Sequence, residues 1–371
     1  MNTNTSFEIA VLPGDGIGLE VIPSCIEVLD AAIGRVGGFS LRYTGLEAGA
    51  ETYRATGTAL PRATVTACAR ADAILLGAMG LPSVRYPDGT EIAPQLDLRF
   101  EFGLYAGVRP TRAMPGVRRT IADPRAEKID FVLIRESTEG LFASRGKGVI
   151  EDDREARDTL VITRDVTERL SDFAFGLTAG RRGDRPRRVT CVDKANVFKS
   201  YAFFRKIFDE RARRFPDIVA DHAYVDATAL GMVLYPWNFD VLVTENMFGD
   251  ILSDLAAGLV GGMGYAPSAD IGDEHAVFQP AHGTAPDIAG LGKANPVAAI
   301  LSGVMMLEWL AARHDFSPAG VVARLVRTAV DRAFRDGQLV TCELGGTAGT
   351  AAVTRAVLSE LAESPIPSAD A

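Results

Sequence analysis

Between Phe239 and Leu255 the chain changes period. Phe239-Asp240-Val241-Leu242-Val243 is a short apolar, β-branched run that stops at Thr244-Glu245-Asn246. The residues that follow have helical spacing, with Ile251, Leu252 and Leu255 apolar. This is a buried strand feeding a helix. Asp250 and Asp254 stand four apart in that helix, so their carboxylates share one face near the C-terminal end of the strand. Two like charges there repel. A cation between them is one solution, and hard oxygen ligands on a half-open site suit Mg²⁺ or Mn²⁺. Acids that only complement the helix macrodipole are the other, and this segment alone leaves both open.

The same unit recurs along the chain. Phe7 to Leu12 reads as a strand, Pro13-Gly14-Asp15-Gly16-Ile17-Gly18 as a turn, and Leu19 to Ile33 as a helix. The glycine spacing is not GxGxxG, so a plain tight turn explains it at least as well as a cofactor does. Ala71 to Gly77 is another buried strand, as expected of alternating β and α units around a parallel sheet. Asp88-Gly89 marks a turn, Gln95 to Leu104 is helix-like, and Arg109 before Pro110 is held extended. Phe131 to Ile134 is a strand ending at Arg135, and Val189 to Lys194 is a strand whose lysine opens a helix through Phe208. His222 to Asp226 again ends a strand on an acid. Residues 145–169 fit either an exposed hairpin arm or a solvated loop leading to a helix. Arg181 to Arg188 is a basic turn without interleaved aromatics, hence a solvated loop. Gln279 to Gly292 is a glycine-rich loop, after which Asn295 caps the helix that Pro296 begins.

A chain of 371 residues has ample material for two domains or one large one. Its net charge of −9 opposes non-specific binding to nucleic acid or anionic membrane. An acidic chain that binds anions must therefore concentrate its arginines locally. Cys25, Cys68, Cys191 and Cys342 lie far apart, without a CxxC pair, and read as reduced thiols of a cytoplasmic protein. The N-terminus lacks a signal-peptide pattern, and the apolar stretch from Val297 to Ala312 is broken by Ser302, Gly303 and Glu308. That stretch reads as a core or subunit-interface helix.

Polar residues collect at the C-terminal ends of the expected strands: Arg135, Lys194, Asp226 and Glu245-Asn246. In open α/β sheets ligands bind at that edge. Arg99, Arg109 and Arg135 suit bidentate contacts to carboxylates, while Asp226, Asp250 and Asp254 suit a divalent cation. The ligand implied is a small polycarboxylate chelated to a metal, although a surface salt bridge explains any one of these arginines taken singly.

Asp15-Gly16-Ile17-Gly18, Leu98-Arg99, Val108-Arg109-Pro110, Asp193-Lys194-Ala195-Asn196, Thr244 to Asp254, His282 to Gly290 and Gly345 to Thr350, in this order, resemble the metal-dependent decarboxylating dehydrogenases of (R)-hydroxyacids. That family includes isocitrate, 3-isopropylmalate, homoisocitrate and tartrate/D-malate dehydrogenases. The resemblance implies an α/β fold of the isopropylmalate-dehydrogenase type, with a dinucleotide site that is not Rossmann. A larger cofactor-binding domain, 1–104 plus 261–371, would enclose a smaller dimerising domain, 105–260, whose 145–165 segment clasps the partner. It also implies NAD-dependent oxidation and decarboxylation of a substituted (R)-malate by a homodimer with shared sites. Arg99, Arg109 and Arg135 would bind the malate carboxylates, and Asp250 and Asp254 would hold Mg²⁺ or Mn²⁺ together with the partner subunit's Asp226. The partner subunit's Lys194 would take the hydroxyl proton. Gln95 and Leu96 would face the C3 substituent. The cofactor would lie against Ile17, Asn196, Glu245, the loop His282-Gly283-Thr284-Ala285-Pro286, Asp287 and Asn295. Asp287 and Ile288 stand where NADP-using relatives carry lysine and tyrosine, which points to NAD.

One position departs from the family pattern. After Arg135-Glu136-Ser137-Thr138-Glu139-Gly140-Leu141 a tyrosine that protonates the enolate is expected, and this chain has Phe142. Ser144 and Tyr105 are the nearest replacements in sequence. A catalytically weakened member serving as a regulatory or binding subunit is the alternative. Retention of Lys194 and all three acids argues against it.

Overall fold

The computed structural model describes residues 5–181 and 187–368. The strands are β1 (Thr5–Gly14), β2 (Phe39–Gly45), β3 (Ala73–Ala78), β4 (Ala106–Arg112), β5 (Asp130–Glu136), β6 (Val149–Glu151), β7 (Glu155–Arg157), β8 (Arg188–Asp193), β9 (Val219–Tyr224), β10 (Val241–Thr244), β11 (Pro267–Ile271) and β12 (Ala276–Pro280). The helices are α1 (Gly18–Val36), α2 (Ala50–Thr56), α3 (Arg62–Arg70), α4 (Pro94–Glu101), α5 (Arg164–Gly180), α6 (Lys199–Ala212), α7 (Val225–Leu234), α8 (Asn246–Leu259), α9 (Val297–Arg313), α10 (Ser317–Phe334) and α11 (Thr350–Glu363).

All the strands except β6 and β7 join one sheet, ordered β2-β1-β3-β12-β11-β4-β5-β10-β8-β9. Its two wings are parallel, as alternating β and α units require. The middle is not: β12, β11, β4 and β5 run antiparallel to their neighbours in turn. The expectation of a parallel sheet therefore fails at the centre. For the β11–β12 pair the cause is local, since only residues 272–275 separate the two strands, closed by Gly272 N–H donating to His275 O at 2.9 Å. A turn that short can join only antiparallel strands.

Both faces of the sheet are covered. Val241 and Val243 of β10 enter one core with α5 and α6, and Leu242 enters another with Leu252, Ala256 and Leu259 of α8. α9 is buried along most of its length and packs with α1 and α10, so the apolar stretch from Val297 is core. Asn295 Oδ1 accepts from Val297 N–H at 3.1 Å, the expected cap, with the helix starting at Val297 rather than Pro296.

One further expectation is corrected and one open choice is resolved. Lys194 does not open a helix: Val197 and Phe198 N–H both donate to Lys194 O, and α6 begins at Lys199. Asp193 enforces that turn by accepting from Ala195 N–H at 2.8 Å while it pairs with Arg205. Residues 145–169 are a hairpin followed by a helix, β6 and β7 pairing antiparallel with every strand residue exposed before α5 starts. Of the basic turn at 181–188, positions 182–186 lie outside the described residues.

Candidate active site

A cavity of about 460 Å³ opens over the sheet where its antiparallel centre meets α4 and α8. Arg99, Arg109 and Arg135 line it together with Asp250, Asp254, Gln95, Leu96, Phe142, His282 and Gly283. Register explains how Arg109 and Arg135 converge on Asp270, and α4, packed over the sheet, brings Arg99 to the same carboxylate. Asp270 on β11 pairs with Gly107 on β4, which pairs with Arg135 on β5, so the three lie in one row across the sheet. Arg109 is two residues beyond Gly107 and points to the same face. A Cβ on Gly107 would stand 2.5 Å from Ser137 Oγ and 3.1 Å from Asp270 Oδ1. Glycine there leaves room for the carboxylate.

Asp270 was not singled out in the sequence, yet it organises the arginines. Its Oδ2 accepts from Arg99 Nε at 3.0 Å and from Gln279 Nε2 at 3.0 Å, and its Oδ1 accepts from Arg109 Nη2 at 2.9 Å. Burial would push its carboxyl up, but the Arg109 and Arg99 guanidiniums outweigh that and hold it well below the usual range. The signal was legible: an acid inside the apolar strand Pro267-Ser268-Ala269-Asp270-Ile271 needs a buried cation.

Arg135 completes the wall. It is 4% exposed, donates from Nε to Asn246 Oδ1 at 2.9 Å and pairs with Asp250. A Cβ on Gly249 would meet Arg135 Cγ at 2.6 Å, so α8 carries glycine where the arginine stem passes. Burial first, then the neighbouring Arg99, push Arg135 down to about 10. Asp270 is the one buried carboxylate among these three guanidiniums, and the other counter-charge, Asp250 on Arg135, is half-exposed, so an anion that displaced it would find a cationic wall.

Asp250 and Asp254 project from one face of α8 into the cavity, as their spacing predicts. Partial burial, joined by the charge of Asp250, pushes the Asp254 carboxyl up. This pair fits a hard divalent cation by donor type but supplies only two ligands. Among the described residues no group of three or more His, Cys, Asp or Glu side chains is placed to hold a metal. Asp226, the third expected ligand, does not line the cavity. It accepts from Lys194 Nζ at 2.6 Å at the β8–β9 edge of the sheet.

The cofactor residues divide likewise. Ile17 N–H donates to Thr284 O at 2.9 Å, which fastens the turn after β1 to the 282–288 loop. Gly14, Gly16 and Gly18 are crowded by Ala78, Thr284 and Pro13, so they serve the packing of this turn. Gly283 has open space where a Cβ would sit and lines the cavity, and the Nε2 of His282 is shielded without a partner. A loop with an orphaned ring nitrogen and an open glycine fits a planar, hydrogen-bonding ligand. Ala285 takes φ +38, and Pro286 and Asp287 are exposed on the same loop. Glu245 caps α8, accepting from Met247 and Phe248 N–H at 3.1 and 2.8 Å. Asn295 bonds Glu343 Oε1 at 2.7 Å, and Asn196 is exposed beside Lys194. None of these three lines the cavity.

Phe142 does line it, with its ring centroid 5.1 Å from Arg135 Cζ. Neither expected replacement reaches it. Ser144 Oγ donates to Thr159 O at 2.6 Å and accepts from Thr159 N–H at 2.8 Å. The Tyr105 hydroxyl donates to Asp273 Oδ1 at 3.2 Å, and burial pushes it up to about 12.

The family model for isocitrate/isopropylmalate dehydrogenase matches residues 8–360. The 3-isopropylmalate/3-methylmalate dehydrogenase of Methanocaldococcus jannaschii is 41% identical over 358 residues, covering 96% of this chain and 99% of that protein. The 3-isopropylmalate dehydrogenase of Geobacillus kaustophilus is 40% identical over 369 residues, 96% of this chain and 95% of its own. Among solved structures, the isocitrate dehydrogenase of Methylococcus capsulatus superposes with a TM-score of 0.83 at 37% identity, covering 96% and 99% of the two chains. The apo beta-decarboxylating dehydrogenase of Thermococcus kodakarensis gives 0.78 at 36% identity, with 96% of each chain covered. The chain belongs to the isocitrate/isopropylmalate dehydrogenase family of decarboxylating hydroxyacid dehydrogenases.

Proposed function

We propose that this chain oxidises and decarboxylates a substituted (R)-malate, with NAD as hydride acceptor and Mg²⁺ or Mn²⁺ as metal. The observation that carries this reading is the wall of three buried guanidiniums facing two carboxylates across one cavity. Arg99, Arg109 and Arg135 hold the substrate carboxylates, and Asp250 and Asp254 hold the metal with the partner subunit's Asp226. A divalent cation held by these carboxylates would supply Lewis-acid chemistry, lowering the pKa of the C2 hydroxyl and neutralising negative charge that develops on the substrate. The partner subunit's Lys194 accepts the hydroxyl proton. The 282–288 loop seats the dinucleotide. Asp287 there accepts from the ribose hydroxyls and repels a 2′-phosphate.

The active unit is a homodimer of the cytoplasm. In one chain the Lys194–Asp226 pair and the Asp250–Asp254 pair do not line a common cavity, which supports completion of the site by a second copy. Leu230, Val233 and Leu234 on one face of α7 and Ile251 on α8 are 50–61% exposed, an apolar surface for that copy. The exposed β6–β7 hairpin is the clasp. The division into 1–104 plus 261–371 and 105–260 puts the seam at the β11–β4 pairing, under the arginines.

The test is NADH formation from D-malate and its C3-substituted derivatives with Mn²⁺, alongside Mn²⁺ titration of Asp250→Asn. The variant should lose at least about tenfold in Mn²⁺ affinity with an unchanged circular dichroism spectrum. An Mn²⁺ titration identical to wild type refutes the metal assignment.

A further inference from the structure

The two faces of the sheet are built differently. On the cavity side the core is split: Leu133 and Leu252 belong to one cluster, Leu76 and Leu98 to another, and the charged cavity lies between them. On the opposite side one core runs unbroken from Leu75 through Val108 and Ile134 to Phe175. That far face carries an ion bridge at each end of the β11–β4 seam. At one end Asp273, in the turn after β11, accepts from Arg169 Nη2 of α5 at 2.6 Å and from the Tyr105 hydroxyl at 3.2 Å. The Arg169 guanidinium lies over the Tyr105 ring, 4.3 Å from its centroid, and the Asp273 carbonyl accepts from Arg313 Nη1 of α9 at 3.0 Å. At the other end Arg112 of β4, on the same side of the strand as Val108, forks onto Asp331 of α10 at 3.1 and 2.5 Å. Arg169, Tyr105 and Arg112 belong to 105–260, whereas Asp273, Arg313 and Asp331 belong to 261–371.

We propose that these two bridges form a hinge clamp that holds the cavity open, so that the two divisions close on a ligand only as the clamp yields. The inference rests on the division of the chain with its seam at β11–β4, and not on the substrate or cofactor assigned to the cavity. A sheet that bends about that seam to bring α4 and α8 together over the cavity spreads the elements on its far face. Closure therefore stretches Arg169–Asp273 and Arg112–Asp331, and opening leaves them intact. Apolar packing along the far face resists a gap without fixing an angle, whereas ion pairs at both ends tie defined atoms. Such half-exposed pairs are individually weak, so the clamp shifts the ratio of open to closed molecules by a few-fold, and salt loosens it.

The experiment is amide hydrogen exchange on the ligand-free full chain, in wild type, Asp273→Asn, Asp331→Asn and the double variant. Arg164→Gln is the control, since Arg164 pairs with Glu168 and Glu210 inside one division. Peptides covering α4 and residues 279–292 border the cavity and report its opening. They should exchange about threefold more slowly in each single variant and more slowly again in the double. Wild type should approach the variants in about 0.5 M NaCl, while Arg164→Gln and the charge-preserving Arg169→Lys should match wild type. Cavity peptides that exchange at the wild-type rate or faster in both single variants overturn the proposal, as does equal slowing in Arg164→Gln. Small-angle scattering then tells the clamp from the seam. A radius of gyration that falls when wild type receives NAD, Mn²⁺ and D-malate keeps the seam and discards the clamp, and an unchanged radius discards both. The exchange measurement uses no ligand, so failure of the (R)-malate reading leaves its outcome standing.

Discussion

Arg99 and Arg109 share a cavity wall because Asp270 stands between them, one oxygen to each. Removing a buried partner of that kind typically costs about 3–5 kcal/mol, so the acid fixes the geometry as well as the charge. Phe142 poses the complementary question of what a missing hydroxyl does. Since Ser144 and Tyr105 are engaged away from the cavity, Phe142→Tyr should raise steady-state kcat by about threefold or more while single-turnover NADH formation stays within about twofold. A loss of hydride transfer above about tenfold would instead show that the phenyl ring shapes the substrate pocket. On the proposed NAD reading, cofactor choice would turn on exposed Asp287 and half-buried Ile288 of one loop. Asp287→Lys with Ile288→Tyr should shift the kcat/KM ratio toward NADP by at least about an order of magnitude, roughly 1.4 kcal/mol of differential transition-state binding. Wild-type enzyme that already prefers NADP would sink the ribose reading.

At the scale of elements, β5 and the turn after it deliver both Arg135 and Phe142, and Glu136 sets that turn. Its carboxylate accepts from Thr138 N–H and Oγ1 and from Glu139 N–H. Burial nevertheless dominates these donors and pushes Glu136 up to about 7. The folded state then binds a proton that the unfolded state, titrating near ~4.3, releases earlier. Stability from this group is therefore fully present below the unfolded value and declines as pH rises toward about 7, by up to about 3 kcal/mol. Urea denaturation at pH 5 and pH 7 should show that decline in wild type and a flatter dependence in Glu136→Gln. Glu245 and Glu343, also raised by burial, add slopes of the same sign to both proteins, so the difference isolates Glu136. Equal slopes would assign the effect elsewhere.

For the whole molecule, the proposed shared site would make assembly a condition of catalysis, because Lys194 and Asp226 lie apart from Asp250 and Asp254 within one chain. Charging the outer face of α7 with Leu230→Asp and Leu234→Asp should yield a folded monomer that loses activity by about a hundredfold or more, since the general base and a metal ligand are then absent. Sedimentation velocity run beside the NADH assay checks this. A fully active monomer would show that one chain suffices.

The β10–α8 unit, the carboxylate pair at its fourfold spacing, the buried strand ahead of Arg135 and the cap at Asn295 were legible in the sequence, because period and capping chemistry are set by residues within a turn or two of each other. Phe142 was legible as a departure. The antiparallel centre of the sheet was not, because pairing β11 with β4 is a choice among distant strands that no local pattern records. Asp270 was legible only as an acid in an apolar strand; its partners were not, since strand register brings Arg109 to it and the packing of α4 brings Arg99. Tertiary structure alone decided that three arginines face one cavity and that Lys194 and Asp226 do not, since convergence of side chains depends on how strands and helices stack and not on their order in the chain.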